Sequence, residues 1–154
     1  MEDSILVTKV KHPELATIAH LLNESRGKPD ICIALLRGDK ATMDGEASVF
    51  YSLQNLVAKR HKAYIRNLYL CEGAISIPER WRAIGKSTDD LIQVGGLVAT
   101  GPEGLDKVFF QLDEDLEEIV SWNIPILLWM DEKALERFYR RSIKSKQYIV
   151  PGEP

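Results

Sequence analysis

The sequence predicts an α/β domain, a single-domain three-layer α/β/α arrangement around a mainly parallel sheet of about five strands. Three observations predict it. Residues 124–132 (IPILLWMDE) form the most apolar run, too short to cross a membrane, between an amphipathic helical pattern and a basic one. A short continuous apolar run of this kind reads as a strand buried on both faces. Three further runs, 30–37, 63–71 and 90–98, alternate with helical patterns, as in a parallel sheet joined by crossover helices. Finally, 154 residues, 45% hydrophobic and 28% charged, suffice for one core without covalent staples. We assign residues 1–150 to this domain and 151–154 to a frayed tail.

In chain order, residues 4–10 are a short strand candidate rich in Ile, Leu and Val. Pro13 suits the first turn of a helix with Leu15, Ile18, Ala19 and Leu22 on one face, and Gly27 stops it. His20 falls on the opposite, solvated face. Residues 30–37 (DICIALLR) are a buried strand, followed by the turn 38–45. Asp44 is the expected N-cap of a helix to about residue 61, with Ala47, Phe50, Tyr51, Leu53 and Val57 facing inward. Its end carries Lys59, Arg60, His61 and Lys62, favourable charge at a helix C-terminus.

Residues 63–71 (AYIRNLYLC) are the next strand, and 75–86 hold one short helix in a loop-rich stretch. Within the strand 90–98 (DLIQVGGLV), Gly95 and Gly96 suggest a bulge or a close backbone approach. The longest helix is expected over 103–121, with Leu105, Val108, Phe109, Leu112, Leu116, Ile119 and Val120 in one stripe and Phe110 on the acidic side. After the strand at 124–132 comes a helix to about residue 143 that buries Ala134, Leu135 and Phe138 and carries Lys133, Arg137, Arg140 and Arg141. Residues 147–150 are read as a small edge strand.

A net charge of −3 and a pI near 5.7 disfavour nucleic acid as a bulk electrostatic partner. Two cysteines give neither a disulfide framework nor a zinc set, and a reducing cytoplasm is the expected location. No signal peptide or membrane span is read from the sequence. The phosphate-binding motif Gly-x-x-x-x-Gly-Lys-Ser/Thr, the dinucleotide fingerprint Gly-x-Gly-x-x-Gly and the nucleophile elbow Gly-x-Ser-x-Gly do not occur. His12, His20 and His61 lie on early helices or their ends, not after strands, which argues against triad and zinc chemistry.

Ligand sites of such sheets open outside the carboxyl ends of the strands. Asp39, Glu72 and Asp131 each follow a strand, and together could hold Mg²⁺ for phosphate chemistry if the strands are parallel. The bland reading is that they are turn formers and helix caps, so no catalytic or metal residue and no cofactor is assigned, with Mg as the alternative. Arg37 and Lys40 are the candidate anion ligands. Cys71 is read as inert and partly buried, with His61 as the base it would need if it were a nucleophile. Phe110, Arg137, Arg140 and Arg141 are the candidate partner contacts, in self-association or with another protein.

The segments around Glu14–Leu22, ICIALLRG, VGGL at 94–97 and IPILLWMDEKALERF resemble a degenerate STAND-type, NTPase-like α/β module of bacterial signalling and conflict proteins, over about residues 12–140. The resemblance implies a degenerate P-loop fold with an interaction or regulatory role, and it carries over no catalytic residue: Val98 stands where such an NTPase would place an acid. The expected function is therefore a non-catalytic protein-interaction or regulatory module of a prokaryotic signalling or defence assembly. The alternatives are a small Mg-dependent phosphate-handling enzyme and a nucleotide- or anion-binding domain without turnover.

Overall fold

Four strands form one parallel sheet in the computed structural model, which describes residues 15–71, 73–84 and 90–148. The elements run α1 (Leu15–Glu24), β1 (Ile31–Leu35), α2 (Met43–His61), β2 (Ile65–Tyr69), α3 (Ile77–Ile84), β3 (Leu91–Gly95), α4 (Pro102–Glu114), α5 (Leu116–Ser121), β4 (Ile126–Met130) and α6 (Glu132–Arg141). The predicted strand at 4–10 and the residues Pro13 and Glu72 lie outside the described residues, as do 149–154. The sheet order is β1-β4-β3-β2, with every pair parallel.

The apolar run of the sequence is β4, an inner strand between β1 and β3, and all five of its residues are buried. Its register pairs Ala34 with Trp129 on one side and Val94 with Leu128 on the other. β1 and β3 are equally buried, as their near-continuous apolar sequences require. β2, at the other end of the sheet, alternates and exposes part of Arg66, Asn67 and Tyr69.

The helices pack as groups. α1 lies on α2, α4 on α6, and α3 and α4 both touch α5 through fewer contacts. The α4–α6 contact is built on Phe109 and Phe138, whose rings meet edge-on at 5.3 Å, and on Asp106, which takes both Arg137 and Arg141. Asp113, the penultimate residue of α4, accepts the backbone N–H groups of Ile143, Lys144 and Ser145 and the Ser145 hydroxyl. Burial alone would raise the carboxyl's pKa, but these donors outweigh it and hold it below the ordinary carboxylate value.

Four local expectations need correction. Thr42, not Asp44, caps α2: its backbone is extended (φ −136°, ψ 166°) and its hydroxyl accepts the Gly45 N–H at 3.0 Å. Ala47 and Tyr51 point outward, because the buried stripe of α2 runs through Glu46, Val49, Phe50, Leu53 and Val57. The long helix expected over 103–121 breaks at Asp115, whose carboxylate is held by Ser76 of the α3 cap at 3.0 Å and by Gln111 at 3.1 Å. Residues Ser145–Tyr148 form a 3-10 turn where the start of an edge strand was expected, gathered by the Asp113 carboxylate.

Candidate functional site

The carboxyl end of the sheet gathers the exits of all four strands. Leu36, buried after β1, donates its N–H to Met130 O at 2.7 Å, so β1 and β4 leave the sheet side by side. The chain then turns through the 3-10 segment Gly38–Lys40, closed by Lys40 N to Arg37 O at 3.1 Å and Ala41 N to Gly38 O at 3.0 Å. Arg37 reaches across the gap to Glu132, the first residue of α6, at 3.5 Å. Residues 37–40 are exposed, and the two candidate anion ligands, Arg37 and Lys40, share this one turn.

Asp131 ends β4 and caps α6, with Oδ1 accepting the Ala134 N–H at 2.9 Å. Asp39 belongs to the exposed turn after β1, on the strand next to β4. Glu72 lies outside the described residues, but its neighbour Cys71 follows β2 at the far edge of the sheet. β1 and β2 are separated by two intervening strands, on the order of 14 Å at the usual strand spacing. The topology thus brings Asp39 and Asp131 to adjacent strand exits and puts the exit of β2, at Cys71, at the other end. Among the described residues no group of three or more His, Cys, Asp or Glu side chains is arranged to hold a metal ion.

A carboxyl absent from the expected set occupies this edge. Glu46, in the first turn of α2, is 0% exposed and rests on the end of β3. Its Oε1 accepts the Gly96 N–H at 2.9 Å, while Oε2 has no hydrogen-bond partner. The two glycines predicted to permit close approach do so: a Cβ on Gly95 would fall 2.6 Å from Glu46 Oε1, and one on Gly96 would fall 2.0 Å from Leu70 O. Burial pushes the Glu46 acid up to about 7; the Gly96 N–H opposes this shift and the Asp131 charge adds to it. The phenol of Tyr69, at the end of β2, is likewise raised, by burial and then by Glu46. Glu46 had a sequence signal: with Val49, Phe50, Leu53 and Val57 it keeps the helical spacing of the buried stripe, so it is a charged residue inside an apolar face.

Beside Gly96 opens a cavity of about 670 Å³, lined by Leu70 and Cys71 after β2, Met43 of α2, Ile75, and residues 96 and 99–104 leading into α4. Its walls are largely apolar, and Cys71 brings an exposed thiol to it. This exposure corrects the expectation of a partly buried cysteine, because β2 ends at the open side of the sheet. His61 precedes β2 and Cys71 follows it, so the length of the strand, roughly 3.3 Å per residue, separates the pair. Cys32 is the inert one: burial, with Asp30 adding to it, pushes its thiol up to about 12.

The expected partner contacts divide. Arg137 and Arg141 are turned onto Asp106 at 3.1 and 3.2 Å and tie α6 to α4. Arg140 pairs along its own helix with Glu136 at 3.7 Å. Phe110 is 64% exposed and Ile143 is 74% exposed. Asp113, three residues after Phe110 on α4, accepts the Ile143 N–H at 2.7 Å, which ties the backbone of Ile143 to the turn of α4 that follows Phe110. Among the described residues no helix is long and apolar enough to cross a membrane. Compared with family models, curated proteins and solved structures, the chain matches none of them.

Proposed function

We propose that this protein is a non-catalytic protein-interaction module whose contact surface is the outer side of the α4–α6 pair. One observation carries this reading: Phe110 and Ile143, both well exposed, are presented by a plate that Asp106 and Asp113 make rigid. A rigid apolar spot rimmed by charge is the anatomy of a binding surface, and preorganisation lowers the entropic cost of using it. Arg140 and the acidic side of α4 supply the rim. The occupant to test first is a second copy of the chain. The reading extends to a three-layer domain, supported by the separate α1–α2 and α4–α6 groups and by the right-handed rule for parallel crossovers. It also keeps the STAND-type resemblance and the setting of a cytoplasmic prokaryotic signalling or defence assembly. In its support, the quoted segments fall on α1, β1, the β3 exit, β4 and α6.

The test is mass in solution against concentration, by sedimentation or light scattering. The wild-type mass is expected to rise with concentration, and Phe110→Asp or Ile143→Asp to weaken association by roughly 30-fold without lowering the melting temperature. A chain that stays monomeric at all concentrations, and captures no partner that Phe110→Asp releases, sinks the reading.

A second reading is anion binding without turnover at Arg37 and Lys40. It is favoured by topology: β1 and β4 are neighbours that lead to helices of different groups, the kind of switch point where ligands of parallel sheets bind. ATP, ADP or inorganic phosphate at 100 times its dissociation constant should stabilise the fold by about 2.7 kcal/mol. Arg37→Ala combined with Lys40→Ala should abolish the shift. A shift that survives both substitutions places the anion elsewhere.

A further inference from the structure

No other acidic or basic side chain among the described residues is as buried as Glu46, and the contact reading above leaves it unused. The carboxyl is pressed against the end of β3 at Gly95, where a Cβ would fall 2.6 Å from its Oε1. Its single hydrogen bond goes to Gly96, and Gly96 is the hinge of the cavity wall. Gly96 O accepts from the Thr100 hydroxyl at 2.8 Å and from the Ala99 N–H at 3.3 Å, so the wall at 96–101 hangs from this residue. On the preceding side, Leu70 N donates to Gly95 O at 2.9 Å, which ties the opposite cavity wall to the same point. The titratable groups facing Glu46 are Asp131 from the end of β4 and Tyr69 from the end of β2. Asp44 on its own helix, and Asp39 and Lys40 in the turn before it, are exposed to solvent.

We propose that Glu46 is a proton-operated latch on this cavity: as a neutral acid it holds the Gly96 turn against the end of β3, and as a carboxylate it releases the turn. The physical reason lies in the oxygen without a partner. A neutral carboxyl tolerates burial with one hydrogen bond far better than a carboxylate does. Once charged, Oε2 needs water, and with Gly95 packed against the carboxyl it is the Gly96 turn that must move aside. The like charge of Asp131 adds to the drive. In the closed form the acid titrates near 7, and once solvated it returns to the ordinary value of about 4.3. The closed form therefore binds the proton more tightly. Its advantage is whole below the solvated pKa and is lost as pH rises through the window up to about 7. The opening constant should climb about tenfold per pH unit across that window and level off above it.

Amide hydrogen exchange on the whole chain from pH 5 to 8.5, corrected for intrinsic rates, tests this. Gly96, Ala99 and Thr100 should exchange faster than Leu127 and Leu128 of β4. Their opening should rise about tenfold per pH unit and flatten near 7. Glu46→Gln keeps an acceptor for Gly96 but cannot ionise, and should hold the turn closed with no pH dependence. Turn amides as protected as those of β4 would mean that the turn opens only on global unfolding, and that overturns the proposal. So would a flat wild-type profile, or a Glu46→Gln profile equal to wild type. If Glu46→Gln does not fold, the carboxyl carbon of wild-type Glu46, followed by NMR, decides: a midpoint near 4.3 overturns the latch, and one near 7 that coincides with the plateau in turn opening supports it.

Discussion

Replacing Gly96 by alanine should cost about 4 kcal/mol of stability or more, the largest effect expected of any single methyl group in this protein. Two separate penalties add. The residue has φ +97°, which an L side chain adopts at a cost of roughly 1–2 kcal/mol. The new Cβ would then lie 2.0 Å from Leu70 O, a backbone atom in the chain leaving β2, which no rotamer change can relieve. Either the exit of β2 or the turn into α4 must move by more than an ångström, and the cavity between them deforms with it. Gly27→Ala is the control. It shares a positive φ, +82°, but its Cβ would meet nothing within 4 Å, so it should lose only the backbone penalty of about 1 kcal/mol. Chemical denaturation of both variants separates the penalties. Equal losses would mean that the close approach of Gly96 to Leu70 is not a constraint in solution.

That constraint was legible in the sequence only as a hint. Consecutive glycines at the end of a strand announce close approach, but not what approaches. Runs of one physical character were read well: β4 from its continuous apolar stretch, the α4–α5 stripe from its helical spacing, α6 from its cap and its buried Ala134 and Phe138. What failed was any feature decided by a partner distant in sequence. Asp115 breaks a well-patterned helix because Ser76 holds it from another element. Glu46 was passed over because a charged residue is normally placed outside, although its spacing put it within the buried stripe. The cavity joins the exits of β2 and β3 with the start of α4, and Cys71 lines it because β2 is an edge strand. Strand order, which no local pattern encodes, decides both. It also decides that Asp39 and Asp131 leave from neighbouring strands while β2 ends, at Cys71, on the far edge.

The same rule, that distant partners settle local roles, gives the second large effect. Gln93→Leu should destabilise the protein by about 3 kcal/mol although the substitution nearly conserves volume and increases hydrophobicity. Gln93 is 0% exposed in the middle of β3. Its amide donates to Asn67 Oδ1 of β2 at 2.8 Å and to Phe50 O of α2 at 3.2 Å, and its carbonyl accepts the indole N–H of Trp129 in β4 at 2.9 Å. One side chain thus satisfies polar groups from three other elements. Leucine would leave the Trp129 N–H without a partner inside the core, where an unmet donor costs about 1–3 kcal/mol. Asn67 and the Phe50 carbonyl lose contacts as well. A double-mutant cycle with Trp129→Phe isolates the coupling. The phenyl ring removes the donor that Gln93→Leu would strand, so the double variant should lose about 1–2 kcal/mol less than the sum of the single ones. Losses that add to within about 0.4 kcal/mol would show that the network carries no coupling energy. Phe50 lies one helical turn from Glu46 on the same buried face of α2. The amide that locks β2, β3 and β4 together therefore also seats the helix that presses Glu46 onto Gly96. Loosening it should raise the opening of the Gly96 turn even below pH 5, where the acid remains neutral.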